Sequence, residues 1–249
     1  VRGRRPDGGP DAETRRRKTP EEVVEAIGEG WVVRSVRPHG ETGARWMVSV
    51  KPEDGLGRRG VRFIVAGDPG PMGLVEGVAW DDRLAAAAVG GMHADRARRA
   101  AVNALNRRAM PSGKLAEALR RKGSPPDVVA GVVAEMQRLG VLDDRAYARG
   151  VARSLVSRGG AGRRLVEMKL SQRGVPRDLA REVAAEACAE RDPADDAMAL
   201  ARKKLRTLER FDDATRRRRL YGALARRGFD ADVCRTAVDR ALAGGDDDA

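Results

Sequence analysis

Four acidic pairs, Asp81-Asp82, Asp143-Asp144, Asp195-Asp196 and Asp212-Asp213, most invite a chemical reading, because paired carboxylates can hold catalytic metals. Each pair also stands just before an apolar-periodic run. There an N-cap and a first-turn acid satisfy free N–H groups and the helix dipole. Recurrence at successive helix starts favours capping. The only histidines, His39 and His93, lie far in sequence from Cys188 and Cys234, so no zinc set is proposed and both histidines read as surface residues. The cysteines form no CxxC motif and fit a reduced, cytoplasmic setting. No GxxxxGK[ST] loop occurs. The run Gly67-Asp68-Pro69-Gly70-Pro71-Met72-Gly73 lacks dinucleotide spacing, and its prolines remove N–H donors that a phosphate needs. No Ser–His–acid set suggests itself. The expectation is a non-enzymatic protein with no cofactor and no metal.

What remains is charge. The 249 residues carry a net charge of +12. Residues 1–20 contribute +4, 21–94 contribute −3, 95–242 contribute +14 and the tail −3. Such a field attracts polyanions or an acidic protein. Codon bias explains why 42 of the 49 basic residues are arginine, but not why the charge is segregated. Basic residues precede three turn glycines as Arg121-Lys122, Arg173 (after Gln172) and Arg226-Arg227, where the helix dipole alone favours cations. Arg163, Arg164, Lys169 and the run Arg216–Arg219 read as lying early in their helices, where the dipole disfavours them. A partner surface and an ordinary solvated face both account for these.

The elements that would position these cations follow from periodicity. Residues 1–20 are basic and nearly devoid of apolar side chains, and read as a disordered arm. Over residues 21–80 the segments Val32–Val36, Trp46–Val50 and Val61–Val65 alternate as short strands of an antiparallel sheet, with Pro-Gly turns between. Trp31, Trp46, Trp80 and Phe229 read as core fillers. No apolar run is long enough to cross a membrane.

A pattern then occurs three times. Leu115-x3-Leu119-x3-Gly123 is matched by Val166-x3-Leu170-x3-Gly174 and Leu220-x3-Leu224-x3-Gly228, with glycines 51 and 54 residues apart. Apolar residues recur five and nine positions later (Val128 and Val132, Leu179 and Val183, Val233 and Ala237). Residues four apart share a helix face, and the glycine suits a C′ position with positive φ. A further helix precedes each unit, over Arg96–Arg108, Arg145–Ser157 and Ala197–Leu208. The expected fold is mainly α: three tandem three-helix repeats (81–142, 143–191 and 192–242) in an elongated array, after the β region and before an acidic tail, 243–249.

Helix, glycine turn, helix also opens a helix-turn-helix, so a direct DNA-binding repeat protein is the alternative. That motif reads bases from the start of its second helix. Those positions here are Pro126-Asp127-Val128-Val129, Arg177-Asp178-Leu179 and Asp230-Ala231-Asp232, where acids repel phosphate and only Arg177 could read a base. Scarce aromatics argue against single-strand stacking. Any DNA contact should be weak and non-specific.

Ala104-Leu105-Asn106-Arg107-Arg108, Leu115 through Gly123, and Val141-Leu142-Asp143-Asp144-Arg145-Ala146-Tyr147-Ala148 resemble the first repeat and junction of the RecX family. Arg164 through Val175 resembles its second repeat and Arg219 through Phe229 its third, so the likeness spans residues 95–242. Two departures stand out. Pro111 and Lys114 replace the family's capping box, with Ser112 placed to cap one position later, and Lys169 replaces a common acid. The resemblance implies a cytoplasmic, monomeric regulator that touches no membrane. It would lie along a RecA–DNA filament and lower ATP hydrolysis, strand exchange and co-protease activity, in recombination, DNA repair and the SOS response. The contact residues it suggests are Arg107, Arg108, Lys114, Arg120, Arg121 and Lys122 in the first unit. Arg149, Arg153, Arg163, Arg164, Lys169 and Arg173 follow in the second, and Lys203, Lys204, Arg226 and Arg227 in the third. Tyr147 is expected to pack at the repeat junction.

Overall fold

A computed structural model describes residues 17–41, 43–55, 59–189 and 191–243, so most of the basic arm and all but the first residue of the acidic tail lie outside the described residues. The elements run α1 (Pro20–Val24), β1 (Trp31–Pro38), β2 (Arg45–Pro52), β3 (Val61–Ala66), α2 (Asp82–Arg107), α3 (Ser112–Arg121) and α4 (Pro126–Arg138). They continue as α5 (Asp144–Gly159), α6 (Arg163–Gln172), α7 (Arg177–Ala189), α8 (Pro193–Leu205), α9 (Asp213–Arg226) and α10 (Ala231–Ala243). Two compact units result: Val1–Ala101 with Gly123–Val132, and Val102–Lys122 with Val133–Ala249.

In the first unit the three strands form an antiparallel sheet in the order β1-β2-β3, as the alternation predicts. Val48 pairs with Phe63 and Trp46 with Val65, so their side chains share one face. Val48, Phe63 and Val65 build the core with Val33, Val50, Leu74, Leu84, Ala88 and Met92, and Trp46 and Trp80 pack at its margin. The first helix of the first repeat is far longer than the Arg96–Arg108 segment read from sequence and begins at Asp82. Gly90-Gly91 does not break it, because Gly91 lets the helix approach Val65 so closely that a Cβ would sit 2.8 Å from the valine Cβ. α1 was not legible as a helix. Thr19 and Pro20, assigned to the arm on composition, are its N-cap and first residue, and Thr19 and Glu22 close a capping box. His93 is not a bare surface residue either. It lies within α2, and its Nε2 is 2.8 Å from the Glu21 carboxylate, which this contact holds below the usual carboxylate range.

The second unit carries α3 and α5 to α10. α5, α6 and α7 enclose one core around Ala152, Val166, Leu170 and Val183. α8, α9 and α10 enclose another around Ala201, Leu220, Leu224 and Val238, with Phe229 in it. Tyr147 packs against the α5–α7 core. The leucines four apart supply the buried stripe: Leu115, Leu119, Val166, Leu170, Leu220 and Leu224 are all almost wholly buried. Asp81, Asp143 and Asp212 accept from backbone N–H groups three residues on, which identifies those pairs as caps. Asp195 and Asp196 are a correction. Asp192 caps α8, with Pro193 at the first position, and the pair lies in the first turn, where acids still complement the dipole.

Candidate functional site

Fourteen of the sixteen suggested cations are exposed, and Lys169 and Arg227 are half-buried. Their electrostatic surroundings differ sharply. Lys114 and Arg121 both bind Glu117, at 2.7 and 2.9 Å, and Lys114 is the chief cause of that carboxyl's depressed pKa. Arg149 and Arg145 bind Glu186 at 3.1 and 2.9 Å, and Arg145 also reaches Glu182 at 2.6 Å, joining α5 to α7. The Arg149 contact first, then Arg145, lowers the Glu186 pKa. Arg164 binds Asp230 at 2.7 Å, a tie from the start of α6 to the third repeat. Lys169 reaches Gln172 at 3.4 Å.

Lys169 lies in the last turn of α6, not early in it, so dipole compensation covers this position after all; α6 is only ten residues long. Nor is the run Arg216–Arg219 a free basic stripe. Arg216 reaches the Leu208 and Glu209 carbonyls, Arg217 pairs with Asp239, and the Arg219 guanidinium stacks 3.8 Å from the Phe211 ring centroid. By contrast, Arg107, Arg108, Arg120, Lys122, Arg153, Arg163, Arg173, Lys203, Lys204 and Arg226 make no ion pair among the described residues.

The second unit gathers some of these cations. Lys204, Arg226 and Arg227 line a cleft of about 400 Å³, with Leu165, Leu200 and Ala223 as its apolar wall. It lies where α6 of the second repeat meets α8 and α9 of the third. Arg163 stands at a separate cleft of about 230 Å³ beside Cys188, Arg191, Asp196 and Phe229. Burial is the main reason the Cys188 thiol titrates above its ordinary range, with the Asp196 charge adding to it. Both clefts depend on how successive repeats dock. The N–H of Gly162 donates to the Arg227 carbonyl at 2.8 Å, and that of Arg164 to the Gly228 carbonyl at 3.3 Å. Gly228 has φ +83°, and a Cβ there would lie 2.7 Å from the Leu165 Cβ. One repeat earlier, Gly113 sits against the Gly174 carbonyl, where a Cβ would come within 2.5 Å of the oxygen.

Ser112 does not cap α3. Its N–H and hydroxyl both donate to the Asp144 carboxylate, at 2.7 and 2.5 Å, so the buried Asp144 at the start of α5 supplies the acceptor instead. Sequence reasoning missed this role and missed the acids that neutralise Arg149. The signal for the latter was present, since Arg145 and Arg149 are four apart, as are Glu182 and Glu186, so both pairs share a helix face.

Similarity to known proteins bears on identity. Models of the second and third three-helix domains of RecX match residues 143–183 and 190–238. A regulatory protein RecX of Mycobacterium avium (strain 104) is 35% identical over 153 residues, covering 60% of this chain and 86% of that protein. This chain belongs to the RecX family. A second RecX, from Mycolicibacterium smegmatis (strain ATCC 700084 / mc(2)155), is 34% identical over 157 residues, covering 60% of this chain and 81% of its own length. A crystal structure of a regulatory protein RecX superposes with a TM-score of 0.63 at 18% identity, over 84% of this chain and 99% of that one, and so supports the fold. The RecX matches fall on the modules that carry both clefts. Among the described residues no helix is long and apolar enough to cross a membrane.

Proposed function

We propose that this RecX-family chain is a cytoplasmic, non-enzymatic regulator that binds the RecA–DNA filament through its three helical modules and restrains RecA activity. The observation that carries this reading is the cleft of Lys204, Arg226 and Arg227 between the second and third repeats, with the unneutralised Arg163, Arg173 and Lys203 in the same two modules. Dispersed cations suit a long acidic polymer better than a small ligand, because each contributes modestly and the sum is salt-sensitive. Where Arg149 and Arg164 are already paired, their role in this reading is structural: Arg149 ties α5 to α7 within the second module, and Arg164 ties that module to the third. Base reading by the third repeat is disfavoured, because the turn before α10 is docked on the second repeat, through the Arg227 and Gly228 carbonyls and through Asp230, which Arg164 holds.

The test is a titration of the full chain into RecA hydrolysing ATP on single-stranded DNA. Suppression at substoichiometric amounts is expected. Lys204→Glu with Arg226→Glu should weaken it about tenfold, equivalent to ~1.4 kcal/mol of binding. No suppression at any salt concentration would overturn the proposal. DNA binding that persists without RecA and prefers one sequence would favour the direct DNA-binding reading.

A further inference from the structure

We propose that the outer edge of β3 is a docking strand for an extended, acidic peptide segment of a partner protein. This goes beyond the reading above and rests on the first unit alone. The sheet has two edges, and one is covered. The segment after the strands runs along β1, with Val33 N–H donating to the Val78 carbonyl at 2.9 Å, Gly77 N–H to Val33 at 2.8 Å and Trp80 N–H to Trp31 at 2.7 Å. β3 is the other edge.

The phase of its main chain follows from one bond. Gly67 N–H donates to the Ala44 carbonyl at 3.3 Å, continuing the β2–β3 ladder. Main-chain groups alternate direction along a strand, so Val65, Phe63 and Val61 face β2, and Arg62 and Ile64 turn their N–H and C=O groups outward. No backbone hydrogen bond reaches those outer groups among the described residues. An unpaired row of this kind is a template for a further strand, unless proline, a bulge or a cover protects it, and β3 contains no proline.

The surroundings select the occupant. Beside the edge lies a cleft of about 360 Å³ whose apolar part includes Val23, Met47 and Met92, with Arg62 and Ile64 from the strand itself. Arg17, Lys18, Arg96 and Arg99 give it a basic rim, and its acid, Asp95, is engaged by Arg45 at 2.5 Å and Arg99 at 3.1 Å. A second copy of the chain would bring two basic clefts together. Nucleic acid offers its backbone only phosphate acceptors to an edge that presents both donors and acceptors. A peptide complements both, and alternating acidic side chains would meet the rim.

The experiment measures binding of a fluorescein-labelled heptapeptide alternating Glu and Val to the full chain by anisotropy. Saturable binding is expected, with little for the same peptide carrying Lys in place of Glu. Methylating alternate peptide nitrogens, Ile64→Pro and Arg62→Glu should each weaken binding about tenfold, the effect of losing one or two main-chain bonds or reversing one charge. Circular dichroism checks that the variants fold. If Ile64→Pro does not, the N-methylated peptide on the unaltered chain decides the point. The proposal is overturned if the acidic peptide does not bind, if N-methylation leaves affinity unchanged, or if an oligothymidylate of equal charge binds better than the peptide.

Discussion

Gly123 and Gly228 occupy the same repeat position, yet replacing each by alanine should have very different consequences. Both have positive φ, +79° and +83°, so each alanine costs about 1–2 kcal/mol for a left-handed backbone. At Gly123 nothing lies within 4 Å of the added methyl group, and the cost ends there. At Gly228 the methyl group would meet the Leu165 Cβ at 2.7 Å and come closer still to its backbone nitrogen. Relieving that overlap separates α6 from the turn, which adds ~1–3 kcal/mol of overpacking strain. It also weakens the bonds from Gly162 and Arg164 into the Arg227 and Gly228 carbonyls, at about 0.5–1.5 kcal/mol each. Gly228→Ala should therefore destabilise by about 3–8 kcal/mol, several times the effect of Gly123→Ala. Urea unfolding followed by circular dichroism measures the difference, and hydrogen exchange at the Gly162 and Arg164 amides locates it. Equal shifts of the two midpoints, or unchanged protection of the Arg164 amide in Gly228→Ala, would refute the claim that the turn glycine is required for docking between repeats.

The other expectations concern side chains. Asp144→Ala leaves the Ser112 N–H and hydroxyl without their acceptor at a buried site and should cost about 1–3 kcal/mol, with Asp144→Asn milder because one oxygen survives; thermal unfolding of both variants checks this. Glu186 has a depressed carboxyl pKa in the folded chain, so its contribution is complete above the ordinary value of 4.5 and disappears as the pH falls through the lower folded value. The stability gap between the unaltered chain and Glu186→Gln should accordingly shrink in acid, and a urea-midpoint series across that range tests the sign. Burial raises both thiols, with Cys234 almost wholly buried and Cys188 half-buried. A disulfide reagent at neutral pH should therefore modify Cys188 slowly and Cys234 only on unfolding.

How much of this was legible depended on sequence distance. Leu220, Leu224 and Gly228 announce a helix, its buried stripe and its exit within nine residues, and the same register at 115–123 and 166–174 identified the repeats. The strands declared themselves by alternation. α1 did not, because five residues give no period and its capping box lies in a polar stretch. The fate of the arginines was least visible. Arg164 and Asp230 are 66 residues apart, so nothing local separates an arginine that staples two modules from one such as Arg226 that faces a cleft.

The helix starts follow a rule that explains the departures from the family's capping pattern. α3 and α6 begin after Pro111 and Gly162, neither of which makes a side-chain cap. In both cases another module provides the missing acceptor: the Asp144 carboxylate for Ser112, and the Arg227 and Gly228 carbonyls for Gly162 and Arg164. α9 begins with its own Asp212 accepting from Thr215, and its register leucine, Leu220, comes one helical turn further from the helix start than Leu115 or Val166 does. A helix whose first N–H groups are covered by a neighbour can dispense with a side-chain cap of its own. Pro111, which offers no side-chain acceptor, is therefore compatible with the entry of α3 because Asp144 of the next repeat anchors Ser112, and removing Asp144 should loosen this junction more than it would a helix that carries its own cap.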